Sequence, residues 1–155
     1  MEGVRPAAPE DVAALARLLE AARGAAGERR GGPELLATCH ETDGGAAELV
    51  RSWRDDARRL LLAGLFGDVV VGVAAGHVAA RPPGLLGVVD CCYVEPAARG
   101  VGVGSALAEA LMEWFVEQGC VAVDALALPG DRGTKQLYEA LGFTARLLVL
   151  HRRLP

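Results

Sequence analysis

The sequence predicts a domain of the α/β class. Short runs of strand-forming apolar residues alternate along the chain with segments whose apolar residues recur at helical spacing. Apolar residues make up 52% of the 155 residues and aromatic residues only 5%, so leucine, valine and alanine must build the core. A chain of this length can bury a substantial core as one unit. We therefore expect a single domain over residues 1–155.

The first part of the chain predicts one strand, two helices and a loop. Residues 4–23 indicate a short strand followed by a helix with Pro9 in its first turn, where proline is well tolerated. Residues 23–34 are rich in glycine and polar side chains, which indicates a loop. A second helix is expected over residues 46–60.

The middle of the chain predicts three strands. Residues 60–80 contain two apolar runs that meet at Gly67 and Asp68, a pair suited to a tight hairpin turn. Residues 84–94 predict a further strand, and their nearly continuous apolar character indicates burial on both faces.

The last third of the chain continues the alternation. A glycine-rich loop leads into a predicted helix over residues 102–118, which is followed by a predicted strand over residues 120–128. A helix over residues 131–141 and a last strand over residues 143–154 complete the prediction. No repeat or linker interrupts the pattern, which agrees with one domain.

Composition excludes several classes of protein. The formal net charge of −4 argues against a nucleic-acid binder, which usually carries a basic surface. Asp68 interrupts the longest apolar stretch, so we expect no membrane-spanning segment. The first residues lack the pattern of a secretory signal, and the four cysteines show no CxxC spacing. The sequence therefore predicts a cytoplasmic protein with reduced thiols.

The loop "ARGVGVGS" predicts a binding site for an anion. It lies between a buried strand and a helix, so the first backbone amides of that helix lack partners and point outward. Gly100, Gly102 and Gly104 leave room for a phosphate to approach the backbone, and Arg99 can add a charge-assisted hydrogen bond. A Walker A loop is excluded, because no Gly-Lys-Ser/Thr follows. A dinucleotide fingerprint stays open, with Asp124 as the acid that would hold the ribose.

Two motifs around this loop resemble those of the GNAT superfamily of N-acyltransferases. Its acyl-CoA-binding motif, Arg or Gln, two residues, Gly, one residue, then Gly or Ala, matches Arg99, Gly102 and Gly104. The preceding "YVEP" resembles the strand end before that motif, and "KQLYEALGF" resembles the family's Leu-Tyr-Glu-x-x-Gly-Phe signature. The resemblance covers nearly the whole chain. It implies a mostly antiparallel mixed sheet, splayed between its fourth and fifth strands and flanked by about four helices.

The resemblance also implies acetyl-CoA as the cosubstrate and no metal. Tyr138 stands at the position of the general acid that protonates the leaving thiolate, although a tyrosine on an amphipathic helix can also simply pack. Backbone groups of the loop would hold the pyrophosphate, and the preceding strand edge would pair with the pantetheine arm and polarise the thioester carbonyl. The implied donor-binding residues are Cys92, Tyr93, Val94, Arg99, Gly100, Val101, Gly102, Val103, Gly104, Ser105, Asp131 and Lys135.

Asp90 is the candidate for the general base or for binding the acceptor amine. It is the only charge in its strand, and a buried carboxylate without a partner is costly. A hydrogen-bonded structural role, an exposed strand end, and proton transfer to an ordered water remain alternatives. His77 is expected to serve packing or the surface. Cys91 and Cys92 are interpreted as small hydrophobes, since no histidine is placed by sequence to activate them.

Two positions depart from the family pattern. Asp131 and Thr134 stand where relatives often have Asn and Ala, which puts the contact from Asp131 to pantetheine in question. Lys135 is a candidate for the adenosine phosphates or an ordinary surface charge. Glu109, Glu113 and Glu117 recur at helical spacing and predict a solvated face that binds no metal.

The leading hypothesis is an acetyl-CoA-dependent N-acetyltransferase that acts by direct attack of the amine in a ternary complex. A non-catalytic acyl-CoA-binding regulatory module and a nicotinamide-binding oxidoreductase are the alternatives. The acceptor is left open as a small-molecule or peptide amine, selected by residues 23–58 and the last strands. A homodimer through the C-terminal strand is also left open.

Overall fold

A computed structural model describes residues 2–39 and 43–155, and across these residues it contains one five-stranded mixed sheet and five α-helices. The sheet order β1-β2-β3-β4-β5 follows the chain. None of the described helices is long and apolar enough to cross a membrane. The elements are β1 (Glu2–Pro6), a 3₁₀ turn (Pro9–Asp11), α1 (Val12–Gly27), α2 (Gly32–Thr38), α3 (Gly45–Asp55), β2 (Arg59–Phe66), β3 (Val69–Arg81), β4 (Gly84–Val94), a second 3₁₀ turn (Pro96–Ala98), α4 (Val103–Glu117), β5 (Cys120–Asp124) and α5 (Arg132–Ala140).

Strands β1 to β4 form an antiparallel meander. The predicted hairpin between β2 and β3 is confirmed, with Phe66 paired to Val69 across a two-residue turn. Gly67 has a φ of 61°, the left-handed conformation that the first central residue of such a turn requires.

Strand β5 pairs with β4 in parallel, and this pairing ends early. The ladder runs from Leu85 and Cys120 to Val88 and Asp124, whereas β4 continues for six residues to Val94. A parallel pair needs a crossover connection, which α4 provides. The splay expected between the fourth and fifth strands is therefore confirmed, and the unpaired part of β4 borders an opening.

Helix α4 packs on one face of the sheet through glycines in the strands. The ring of Phe115 lies against Gly76 and Gly87, and a Cβ atom at either glycine would come within 2.6 Å of it. Leu107 occupies the equivalent space over Gly64 and Gly72. These glycines let the helix approach the sheet closely.

Helices α1 and α3 cover the other face. Their buried residues pack against alternate residues of β2 and β3, as the period of two in a strand requires. Asp11 anchors the start of α1, since its buried carboxylate accepts hydrogen bonds from the Arg5 guanidinium and the Ala8 backbone N–H. The two apolar clusters thus lie on opposite faces of β3 and β4.

Three predicted elements differ from the structure. The loop predicted for residues 23–34 is largely helical, because α1 continues through Ala25 and Ala26 and α2 begins with Pro33 in its first turn. Strand β5 is shorter than predicted and ends at Asp124. The second helix was predicted over residues 46–60, but α3 ends at Asp55 and β2 begins at Arg59.

The prediction of a last strand over residues 143–154 is wrong. This segment is irregular, and Leu148 and Leu150 are 83% and 93% exposed. Arg146 binds Asp124 at the end of β5, whereas Arg153 lies 3.3 Å from Glu34 of α2. The segment therefore leaves the sheet instead of running beside β5, and without a neighbouring strand its apolar pattern cannot form a ladder. The homodimer through this segment stays open, and the single domain and the cytoplasmic location stay predictions.

Candidate active site

A cleft of about 420 Å³ lies where β4 separates from β5. Cys92 and Val94, which line it, pack on the α4 side of the sheet, whereas Cys91 and Tyr93 pack on the α1 side. The cleft therefore reaches both faces of β4. We call the part near α4 and α5 the donor half, after the acyl donor that the sequence resemblance implies. The part near α1 and α2 is called the acceptor half, after the amine that the resemblance implies.

The glycine loop borders the donor half. Gly100 and Gly102 have φ values of 81° and 94°, a conformation that favours glycine. Helix α4 begins at Val103, and its first closing hydrogen bond runs from the Ala106 N–H to the Gly102 carbonyl at 3.0 Å. The N–H groups before Ala106 thus have no partner within the helix, and the helix dipole adds positive potential there. The loop has the geometry of an anion site.

The unpaired edge of β4 leads from this loop into the cleft. Arg99 donates from Nε to the Val94 carbonyl at 2.9 Å, so this carbonyl points away from β3. Alternate residues of an antiparallel strand direct their backbone groups to the same side, so Cys92 faces the opening too. The guanidinium carbon of Arg99 also lies 5.5 Å from the centre of the Tyr93 ring. Because Nε is bound to Val94, only the Nη groups of Arg99 are left for a phosphate.

Tyr138 lies in the wall of the donor half. Helix α5 places it beside Phe143, and only 7% of the residue is exposed. Burial raises the pKa of the Tyr138 hydroxyl well above its ordinary value, with a smaller contribution from Cys92 nearby. The group therefore stays protonated and can act as a proton donor.

The thiols of β4 are unreactive by the same physical effect. Burial raises the pKa of Cys92 to about 12 and that of Cys91 further. Because the thiolate is the nucleophilic form, an acyl-cysteine route has no support in this geometry.

Asp90 lies at a β-bulge in the acceptor half. Gly76 pairs with Val89 and Ala75 with Cys91, so Asp90 is the extra residue of β4. The residue as a whole is exposed although its side chain is only 17% exposed, so its backbone is the accessible part. Bulges commonly redirect a side chain, and the side chain of Asp90 is directed to Arg59 and His77 while the residue lines the cleft.

Two side chains hold the Asp90 carboxylate. Arg59 of β2 binds Oδ2 through Nη1, and Nδ1 of His77 lies 2.9 Å from Oδ1 and 3.0 Å from Oδ2. Arg59 is in turn fixed by the Trp53 ring, 4.8 Å from its guanidinium carbon. If Nδ1 of His77 carries its proton toward Asp90, Nε2 is left as the acceptor nitrogen. The cluster combines an oriented carboxylate with an imidazole.

Asp131 has a structural role beside the predicted contact with pantetheine, which stays a prediction. It caps α5, because its carboxylate accepts hydrogen bonds from the Thr134 N–H at 3.2 Å and the Thr134 hydroxyl at 2.8 Å. Arg29, at the end of α1, approaches the same carboxylate at 3.7 Å. Lys135 lies outside the cleft lining, 67% exposed and 3.5 Å from Glu139, so its contact with adenosine phosphates stays a prediction.

The structure brings together eight of the predicted site residues in the cleft lining. These are Asp90, Cys92, Tyr93, Val94, Arg99, Gly104, Asp131 and Tyr138. The remaining loop residues lie beside the cleft at the start of α4. They are Gly100, Val101, Gly102, Val103 and Ser105.

Residues 23–58 were predicted to select the acceptor, and Arg29 and Leu35 of that segment line the cleft. The partnership of Arg59 with Asp90 was not foreseen. His77 was expected to serve packing or the surface, yet it binds Asp90. The cap formed by Asp131 had a sequence signal, since aspartate before a helix and a threonine three residues later is typical of a capped start.

Comparisons with known proteins agree with this geometry. The model of the Acetyltransferase (GNAT) family matches residues 30–143. No curated protein matches the sequence. A mutant BH1408 protein from Bacillus halodurans has a TM-score of 0.80 at 15% identity, over 99% of each chain.

Two similar structures are acetyltransferases by name. One is an acetyltransferase of Trypanosoma brucei, with a TM-score of 0.69 and 20% identity over 99% of this chain and 100% of the other. The second is the aminoglycoside acetyltransferase meta-AAC0020 from an uncultured soil metagenomic sample, solved in complex with sisomicin. It has a TM-score of 0.70 and 18% identity over 99% of this chain and 95% of the other. At these identities the likeness establishes the fold.

Proposed function

Because the chain belongs to the GNAT family of acetyltransferases, we propose that it transfers the acetyl group of acetyl-CoA to a primary amine. The reaction would proceed by direct attack within a ternary complex. One observation carries the proposal: the early end of the β4–β5 ladder opens a single cleft that contains the free β4 edge and Tyr138 and borders the anion-binding start of α4.

The donor half fits the chemical parts of acetyl-CoA. The unpaired N–H groups at the start of α4 suit the pyrophosphate, since a helix N-terminus favours a negative ligand. The free β4 edge offers backbone partners for the amides of the pantetheine arm, as a sheet edge does for an added strand. The outward-facing N–H of Cys92 or Val94 is suited to polarise the thioester carbonyl.

Tyr138 would supply one proton transfer, and Asp90 or a water beside it would supply the other. As the neutral amine forms a C–N bond to the acetyl carbon, the C–S bond breaks and the sulfur leaves as a thiolate. The Tyr138 hydroxyl, held protonated by its raised pKa, donates its proton to that sulfur. The nitrogen loses its excess proton to the Asp90 carboxylate or to a water beside it. An amine that enters as the ammonium first loses one further proton to solvent water, and until then it can form an ionic hydrogen bond with Asp90 beside Arg59 and His77.

The acceptor is a small-molecule or peptide amine in this proposal. Structural neighbours that are aminoglycoside acetyltransferases support a small-molecule amine as the acceptor class. Their low identity gives no more specific assignment.

A binding experiment and a turnover experiment together test the proposal. Thermal stability should rise with acetyl-CoA and stay unchanged with NAD, because a ligand at a hundred times its Kd stabilises the fold by about 2.7 kcal/mol. Release of free thiol from acetyl-CoA should then depend on an added primary amine. Stabilisation by NAD alone would overturn the proposal. Stabilisation by acetyl-CoA without thiol release under any amine would favour a non-catalytic binding module.

A further inference from the structure

The walls of the acceptor half consist of small and branched apolar side chains together with Arg29, which meets Asp131. Helix α1 contributes Ala22, Ala25 and Ala26, and α2 contributes Leu35. Leu126 and Leu128, in the loop after β5, line the same cleft. A ligand body placed among these side chains removes apolar surface from water, and each buried methylene is worth roughly fourfold in affinity.

The charges along the cleft are already matched within the protein. The charged residues that line it in the described part of the chain are two arginines and two aspartates. Asp90 is held by Arg59 and His77, and Asp131 caps α5 and meets Arg29. Of these two acids only Asp90 lies at the bulge in the acceptor half. A single ammonium group can therefore join Arg59 and His77 at Asp90, whereas a second ammonium group meets no further acid among the described residues of the acceptor half.

The size of the cleft also favours a small acceptor. Its volume of about 420 Å³ is near the lower end of the range for one drug-sized ligand. The thioester end of the donor must share this volume with the acceptor. The space that remains suits a small amine.

We propose that the acceptor is a small primary amine with one positive charge on a hydrocarbon or aromatic body. This inference rests on the proposed acetyl transfer. A polycation would find a cleft whose lining charges balance, and it would have to place further charges against the leucine and alanine walls at a desolvation cost.

An acceptor panel tests the inference through thiol release from acetyl-CoA. The probes are 2-phenylethylamine and 3-methylbutylamine as apolar monoamines, with spermidine and kanamycin as polycations. We expect kcat/KM for the monoamines to exceed that for the polycations by about tenfold or more, because each further charge of a polycation must lose water against the apolar wall. Their KM should change little with salt, whereas a polycation attracted by charge would lose affinity as salt rises. A preference for polycations, or no turnover with either monoamine, overturns the inference.

A charge introduced into the wall provides a second test. Leu35→Glu adds an acid to the acceptor half, so we expect kcat/KM to fall for 2-phenylethylamine and the ratio to shift toward spermidine. Val116→Glu is the matched control, because Val116 is 75% exposed on α4 and does not line the cleft. Equal effects of both variants would contradict the assignment of Leu35 to the acceptor wall.

The same experiments distinguish this inference from the proposed function. Thermal stabilisation by acetyl-CoA is measured for each variant without any acceptor. If that stabilisation is absent in the unmodified protein, the proposed function itself fails. If it is present and the polycations are preferred, only the acceptor class is wrong.

Discussion

The two halves of the cleft are built in different ways. In the donor half, contiguous residues of one loop and the helix after it supply backbone groups, and α5 adds a single buried hydroxyl from Tyr138. In the acceptor half, side chains from separate elements meet: Asp90 from β4 is held by His77 from β3 and Arg59 from β2. Ligand binding by backbone groups depends on conformation, whereas binding by side chains depends on which residues tertiary packing brings together.

This difference has a functional meaning. Under the proposed function, the backbone groups of the donor half would hold the coenzyme, the constant part of the reaction, and would tolerate change in most side chains around them. The acceptor would be selected by side chains of α1, α2 and β2, so single substitutions there should alter specificity without altering the loop. Substitutions should therefore separate donor affinity, acceptor affinity and turnover.

The largest effect is expected from Tyr138→Phe. Loss of the proton donor should lower kcat by about 10²- to 10⁴-fold, the range typical of general acid catalysis. Affinity for acetyl-CoA, measured by thermal shift, should be unchanged, because the ring still packs against Phe143. The chain offers a matched control in Tyr93→Phe, which keeps the ring under Arg99. A similar loss in both variants would remove the special role of Tyr138.

The pH profile of the unmodified protein follows from the same residue. An acid acts in its protonated form, which prevails below its pKa. Because burial raises the pKa of Tyr138 above its ordinary value near 10, ionisation of this group should not reduce kcat as the pH rises to about 10. If kcat falls with rising pH below about 10 and this fall is absent in Tyr138→Phe, then Tyr138 ionises too early and the raised pKa is contradicted.

Asp90→Asn should act on the acceptor half alone. Removing the charge weakens an ionic hydrogen bond worth about 1.5 to 3 kcal/mol, so KM for the amine should rise roughly tenfold to a hundredfold. Acetyl-CoA should stabilise the variant as well as it stabilises the unmodified protein.

Asp56→Asn is the control for Asp90→Asn. Asp56 also approaches Arg59, at 3.9 Å, but does not line the cleft. Its replacement should leave KM unchanged. Urea unfolding of both variants shows whether the paired Arg59 has been destabilised, and a fall in donor affinity in Asp90→Asn would break the separation between the two halves.

Gly102→Ala should act on the donor half alone. A side chain at a φ of 94° costs about 1 to 2 kcal/mol and shifts the loop backbone, so we expect weaker binding of acetyl-CoA with little change in KM for the amine. Gly119→Ala carries a similar strain at a φ of 78°, but it lies at the opposite end of α4. Both variants should lose thermal stability, and only Gly102→Ala should lose donor affinity. If Gly102→Ala and Gly119→Ala bind acetyl-CoA equally well, the assignment of the anion site to the loop before α4 is contradicted.

The smallest effect is expected from substitutions of Asp131, which caps α5 beside the donor half and approaches Arg29 in the acceptor half. Asp131→Ala removes the cap of α5, so the free energy of unfolding should fall by about 1 kcal/mol in urea titrations. Asp131→Asn keeps an oxygen to accept from Thr134 and should retain most of this stability. A large loss of unfolding free energy in Asp131→Asn would instead show that the stability comes from the charge of Asp131. The source would then be its contact with Arg29, whose Nε lies 3.7 Å from the carboxylate.

The donor half was predictable because its signals are local. The strand over residues 84–94 and the helix that begins near Val103 follow from residues adjacent in sequence. The resemblance of "RGVGVG" and "LYEALGF" to the family motifs then placed the loop and Tyr138 at one site. Their meeting in one cleft follows from the short ladder between β4 and β5.

The sequence by itself predicted β1 to β5 and helices α1, α3, α4 and α5 in their order, and it named the loop before α4 and Tyr138 as candidate site residues, since local backbone preferences and short motifs encode them. It predicted a loop where α1 ends and α2 begins, and a last strand that does not form. Only the tertiary structure decided that His77 and Arg59, 13 and 31 residues from Asp90, hold its carboxylate. It also decided that the apolar C-terminal segment stays outside the sheet. The physical reason is the same in both cases. A strand or an ion pair needs a partner that is distant in sequence, and only the packing of the whole chain brings that partner into contact.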